Sequence, residues 1–153
     1  MLENNHEKKP KKYAGILAHP TSFPSPYGIG DLGKGAYRFI DFLANSGLNL
    51  WQGLPLGHTG FGDSPYQPFS AFAGQPLIID LDALKEYKLL SEDDFTDMPE
   101  WDPVHIDYGT LITFKTKLLK LAYERFTDPD YEDGLSTDEE QMAAFASFKK
   151  DSS

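Results

Sequence analysis

The chain contains no cysteine, which excludes disulfides and thiolate metal sites. Histidine is scarce: four scattered residues share no ligand spacing, so nothing here predicts a metal centre. Basic residues are outnumbered, with 14 Lys plus Arg against 24 Asp plus Glu. The net charge of -10 disfavours nucleic acid and anionic membranes as partners. No apolar run approaches the roughly 18 residues that a membrane span needs. The opening MLENNHEKKPKK lacks the apolar core of a signal peptide, so the expected location is cytoplasmic. No Ser/His/Asp triad has local support.

What is present is a domain-sized chain of 153 residues, 40% hydrophobic and 14% aromatic, enough for a core. The acidic excess is confined. Asp80 to Asp102 holds nine acids and two lysines, and Asp128 to Glu140 holds seven acids and no base. Between Tyr13 and Ile79 the charges reduce to Asp31, Lys34, Arg38, Asp41 and Asp63, while eleven aromatics fall in that span. A nearly neutral region rich in aromatics and glycine suits a neutral ligand better than a phosphate.

Residues 1-12 read as a polar arm and 13-153 as the domain. Tyr13 to Ala18 predicts a buried strand, after which the three prolines of HPTSFPSP forbid regular structure. Asp31 is placed to cap a helix whose apolar residues Leu32, Ala36, Phe39, Ile40 and Leu43 recur at three- and four-residue steps, with Gly47 as its stop. Leu48, Leu50, Trp51, Leu54 and Leu56 then predict a second strand covered on both faces. Strand, helix and strand in this order make a βαβ unit with parallel strands. Further on, the pattern predicts a short strand over Pro76 to Leu81 and small helices around Ala83 to Tyr87 and Ser91 to Phe95. A long helix is expected over Tyr108 to Phe126, with Leu111, Ile112, Leu118 and Ala122 on one side and Lys115, Lys117 and Lys120 towards the other. A last helix should start from Thr137 with Glu140 completing a capping box.

The residues from Trp51 to Gln67, WQGLPLGHTGFGDSPYQ, carry the functional reading. Gly57, Gly60 and Gly62 permit a tight loop at a strand end, presenting Phe61, Asp63, Ser64 and Tyr66. An aromatic ring flanked by polar groups matches the apolar face and hydroxyls of a sugar, although aromatics also serve as core. Gly28, Gly30 and Gly33 satisfy G-x-G-x-x-G, but three prolines separate them from the strand and no acid closes the second strand, which argues against a dinucleotide site. Asp31 and Asp63 could pair as glycosidase carboxylates, but each is better explained as a cap or turn residue. His19, at a strand end before a proline, can donate to a ligand or serve the fold.

Three strings carry a family resemblance: GILAHPTSFPSPYGIGDLG from Gly15, AYRFIDFLANSG from Ala36 and WQGLPLGHTGFGDSPYQPFSAFAG from Trp51. They closely resemble the amino-terminal part of bacterial 4-alpha-glucanotransferases, also called amylomaltases or disproportionating enzymes. The resemblance implies the α/β class, namely the amino-terminal portion of a (β/α)8 barrel of the alpha-amylase superfamily with helical insertions, the barrel incomplete in this chain. It implies retaining transfer of α-1,4-glucan segments between maltooligosaccharides without metal or cofactor, by an aspartate nucleophile and a glutamic acid that no residue here matches. Asp63, Ser64 and Tyr66 match substrate-side positions, and Phe61 stands where the family commonly has a tyrosine linked to an additional glucan contact. The expectation is an inactive fragment of that enzyme; the alternative is a non-catalytic carbohydrate-binding module derived from it.

Overall fold

A computed structural model describes residues 12-58, 74-131 and 139-151. Residues 1-11 of the polar arm, the four predicted sugar-contact residues Phe61, Asp63, Ser64 and Tyr66, and the predicted cap Thr137 lie outside the described residues.

The βαβ unit forms as its sequence predicts. Strand β1 (Gly15–Leu17) and strand β2 (Leu50–Gln52) pair in parallel, with Gly15 opposite Leu50 and Leu17 opposite Gln52. Helix α1 (Lys34–Asn45) makes the crossover. It ends in a Schellman motif: Leu48 N–H reaches back to Leu43 O at 2.9 Å and Gly47 N–H to Ala44 O at 3.1 Å, with Gly47 at φ +70. Phe23, Phe39 and Trp51 pack the proline-rich segment, the helix and β2 together, with ring centroids 5.0 to 5.7 Å apart. Trp51 Nε1 also donates to the Ala18 carbonyl at 2.8 Å. That bond ties the end of one strand to the middle of the other.

Four expectations for this half need correction. The first strand is not buried: Gly15 and Leu17 are exposed and only Ile16 is half-buried. The second strand is three residues long and covered on one face: Trp51 is half-buried, whereas Leu50 and Leu56 are 50% and 40% exposed. Its apolar pattern asks for cover on both faces, and the described residues supply only the α1 side. Asp31 does not cap α1; Gly33 holds that position, with no side-chain cap. Ile40 and Leu32 are exposed although their spacing places them on the apolar stripe.

Pro76 to Ile78 form a 3-10 turn in place of the predicted strand. Pro76 has no N–H for a ladder, and the Gln75 side chain accepts from Leu77 N–H instead, so the segment curls. Helix α2 (Leu81–Glu86) follows, capped by Asp80 through Asp82 N–H at 2.9 Å. A second 3-10 turn over Glu92–Phe95 is closed by a Ser91/Asp94 capping box. Helix α3 (Tyr108–Thr127) starts at Asp107, which accepts from Thr110 N–H at 3.2 Å. Helix α4 (Glu139–Asp151) touches it through Phe126 and Phe145, ring edge to face at 5.0 Å.

Buried Leu111, Phe114, Leu118 and Ala122 of α3 form the spine of the core. Tyr27, Leu81, Leu89 and Leu90 close on its carboxyl-terminal half, and Ile29 and Leu77 on its amino-terminal half. Arg125 anchors the acidic block here: its guanidinium makes a two-pronged pair with Asp94 at 2.6 and 3.0 Å and also donates to Leu89 O. Lys117 and Lys120 face solvent as their spacing predicts, but Lys115 does not. It is completely buried, in the middle of the apolar stripe.

Candidate functional site

Open and closed parallel sheets bind ligands at the carboxyl ends of their strands. In this chain that end is formed by His19, just after β1, and by the residues following β2. The sequence placed Phe61, Asp63, Ser64 and Tyr66 in that second position, outside the described residues, so only His19 of the predicted set has a described geometry.

His19 caps the 3-10 turn Pro20–Ser22. Its Nδ1 lies 2.7 Å from Thr21 Oγ1 and accepts from Thr21 N–H at 3.4 Å. Nδ1 as acceptor assigns the ring proton to Nε2, by hydrogen bonding rather than by a seen hydrogen. Nε2 is enclosed and has no partner among the described residues. One side of the ring thus serves the turn, and the other holds an unspent N–H donor at the strand end.

Asp31 is buried and committed elsewhere. It accepts from Gly33 N–H at 3.0 Å and from Ser25 Oγ at 3.2 Å. Burial pushes its carboxyl up from the ordinary carboxylate range, partly offset by the Gly33 amide and the Lys115 charge. A Cβ on Gly33 would lie 2.4 Å from Asp80 Oδ2 and 2.9 Å from Asp31 Oδ1, so two carboxylates flank the start of α1. They occupy the place where a phosphate would sit. In this structure the three glycines of the motif are points of close approach. Gly28, at φ +77, brings its backbone against the Trp101 ring, where a Cβ would fall 2.5 Å from ring carbons.

Sequence reasoning missed two features. The first is the surroundings of Lys115, whose ammonium donates to Leu77 O at 2.7 Å and Ile79 O at 2.9 Å. Burial lowers its pKa to about 8, against the pull of Asp31 and Asp80. A lysine at helical spacing among leucines was the available signal. The second is a cleft of about 800 Å³ between Thr21–Gly30 and Met98–Ile106. Neither wall has a sequence motif that would have announced it. Among the described residues no group of His, Asp and Glu could hold a metal ion, and no helix is long and apolar enough to cross a membrane.

The family model for 4-alpha-glucanotransferase matches residues 18–153. The 4-alpha-glucanotransferase of Clostridium butyricum is 50% identical over 115 residues, covering 74% of this chain and 24% of the relative. That of Thermus thermophilus is 44% identical over 136 residues, covering 89% of this chain and 25% of the relative. Among solved structures, an amylomaltase from Streptococcus agalactiae in complex with acarbose superposes with a TM-score of 0.75 at 37% identity, covering 92% of this chain and 27% of its own. The chain spans about a quarter of the length of these relatives. With residues 18–153 matched by one family model and its backbone superposing on an amylomaltase, this chain belongs to the 4-alpha-glucanotransferase family.

Proposed function

We propose that this chain forms part of the sugar groove of a 4-alpha-glucanotransferase that moves α-1,4-glucan segments from one maltooligosaccharide to another in the cytoplasm. The observation that carries the reading is its likeness, at a TM-score of 0.75, to an amylomaltase bound to acarbose. In this reading β1, α1 and β2 are the first strand, crossover helix and second strand of a (β/α)8 barrel, within a domain spanning 13-153 that follows the polar arm. A closed barrel takes about 250 residues, so these 153 supply a portion of it.

The chemistry is retaining. An aspartate attacks the anomeric carbon while a glutamic acid protonates the departing glycosidic oxygen, leaving a covalent glycosyl-enzyme; the deprotonated glutamate then takes the proton of an acceptor hydroxyl, which displaces the aspartate. Neither carboxylate is assigned to a residue of this chain. Asp31 is excluded because it is buried against Gly33 and Ser25. What the chain contributes is binding: Tyr66 as the sugar platform, Asp63 and Ser64 as hydroxyl partners, Phe61 as a second apolar contact and His19 Nε2–H as a donor.

The test is calorimetric titration of the folded chain with maltoheptaose, paired with an assay of glucose release from maltotriose. The expected result is binding that weakens about tenfold in Tyr66→Ala, the worth of one aromatic platform, with no glucose released. A flat titration removes the sugar-binding reading, and glucose release by the chain alone overturns the assignment of catalysis to other residues.

A further inference from the structure

Gln75 to Ile79 is an irregular run whose backbone must be satisfied outside any sheet, and each of its five carbonyls has an identifiable donor. Gln75 O accepts from Ile78 N–H and Pro76 O from Ile79 N–H, within the turn, and Ile78 O accepts from Leu32 N–H at the entrance to α1. The remaining two, Leu77 O and Ile79 O, both accept from the Lys115 ammonium of α3. At its upstream end the run is tied to the other side of the fold, because Gln75 N–H donates to Leu56 O at 2.7 Å. Leu56 and Gln75 are the two points between which the predicted sugar-contact residues are strung. The exit from β2 and the return towards α2 therefore meet at one hydrogen bond, and the return is held by the Leu32 amide and by two bonds from one lysine.

A lysine is an unexpected occupant of that position if packing is its only task. Its neighbours along the stripe are Leu111, Phe114 and Leu118, and an apolar side chain would avoid the penalty of enclosing an ammonium. The charged groups facing it are Asp31, from the segment before α1, and Asp80, the cap of α2. Both carboxylates converge on Gly33. One cation thus ties the 75–79 return to α3, with the carboxylates before α1 and at the start of α2 facing it.

We propose that Lys115 is a positioning residue for the sugar-contact segment: by holding the carbonyls of Leu77 and Ile79 it fixes where the chain returns from that segment. Lys115 touches no substrate and acts through the backbone it holds. The inference rests on the glucan-groove reading for its consequence, but not for its geometry.

The experiment compares Lys115→Met with Leu118→Ala, which damages the same helix without touching the 75–79 carbonyls. Hydrogen exchange is read by mass spectrometry for peptides over 57–80 and over 118–127, and maltoheptaose affinity by titration. The expected result for Lys115→Met is exchange at least tenfold faster over 57–80 than the change seen over 118–127, with affinity reduced at least tenfold. Leu118→Ala should speed exchange across both regions and leave affinity within about threefold while folded. If Lys115→Met does not fold, Lys115→Leu, which likewise removes the N–H donors, takes its place. Equal acceleration in both regions, or an affinity loss that follows thermal stability in both variants, makes Lys115 a plain core residue and overturns the proposal. If the unmutated chain binds no maltoheptaose, the glucan-groove reading fails while the exchange comparison still decides the positioning role.

Discussion

Three residues with left-handed backbone angles show how one torsion has different costs in different surroundings. Gly47 ends α1 at φ +70 with no atom within 4 Å of a built Cβ, so Gly47→Ala should cost only the torsional strain, about 1 kcal/mol. Gly28, at φ +77, adds a collision with Trp101, and Gly28→Ala should lose several times more stability in the same denaturant titration. Lys88 reverses the sign. It holds φ 58 just after α2 without being glycine, so Lys88→Gly should raise the unfolding midpoint by the equivalent of about 1 kcal/mol.

Lys115 and Tyr27 make predictions in pH. Burial holds the Lys115 pKa at about 8, below the 10.5 of a free lysine, so between those values the unfolded chain binds more protons and this residue makes stability rise with pH. The curve for the unmutated chain should climb relative to Lys115→Met across that window, by up to roughly 3 kcal/mol. Tyr27 acts in the opposite direction. Burial, aided by its hydrogen bond to Asp82, raises its pKa to about 12, so above pH 10 the folded chain binds the extra proton and stability falls. Tyr27→Phe should remove that alkaline decline, measured by urea unfolding at successive pH values.

At the scale of elements, the acidic block from Asp80 to Asp102 buries Leu81, Leu89 and Leu90 against α3, and caps and a two-pronged ion pair fix its polar side. Asp94 completes the Ser91 capping box and receives both prongs of Arg125, which hold its carboxyl below the ordinary carboxylate range. A depressed carboxylate contributes stability that is present above its unfolded pKa, near 4, and is lost as pH falls through the lower folded value. Asp94→Asn should cost about 2 kcal/mol at neutral pH and flatten the acid limb of the stability curve. The reading fails if the variant keeps the acid limb unchanged. Helix α3 joins this block to the βαβ half through two core clusters on one stripe, which is why a single buried charge at Lys115 can bear on both.

For the whole molecule, the exposed apolar surface is the dominant physical fact. Leu17 and Leu50 are 57% and 50% exposed on the outward face of a two-stranded sheet, and Phe42 and Ile40 are 53% and 47% exposed on α1. Neither outer edge of the sheet is paired among the described residues. Such surface favours association with other polypeptide, including further copies of this chain. Sedimentation velocity should therefore show concentration-dependent self-association that Leu50→Lys reduces, with little change in the unfolding midpoint. A monodisperse monomer at high concentration would remove the argument.

The sequence by itself determined the elements whose causes are local: the βαβ order, the stop at Gly47, the long helix from Tyr108 and the two short helical stretches of the acidic block. Periodicity, caps and breakers act over a few residues, so they can be read without knowing what lies opposite. It also determined the family, because three long strings of residue identity carry far more information than any pattern of charge or spacing. Tertiary structure alone decided the rest. Asp31 looked like a cap and became a buried partner of Gly33, Pro76 to Ile78 looked like a strand and curled, and Lys115 looked solvated and sits in the core. For Lys115 the outcome turned on groups distant in sequence, the carbonyls of Leu77 and Ile79 around one ammonium; for Asp31 and Pro76 a near neighbour took the bond, and Ser25 on Asp31 and Leu32 on Ile78 completed it. A local pattern records what a residue prefers in water, whereas burial replaces water with whatever partners the fold brings, and those partners are named only in three dimensions.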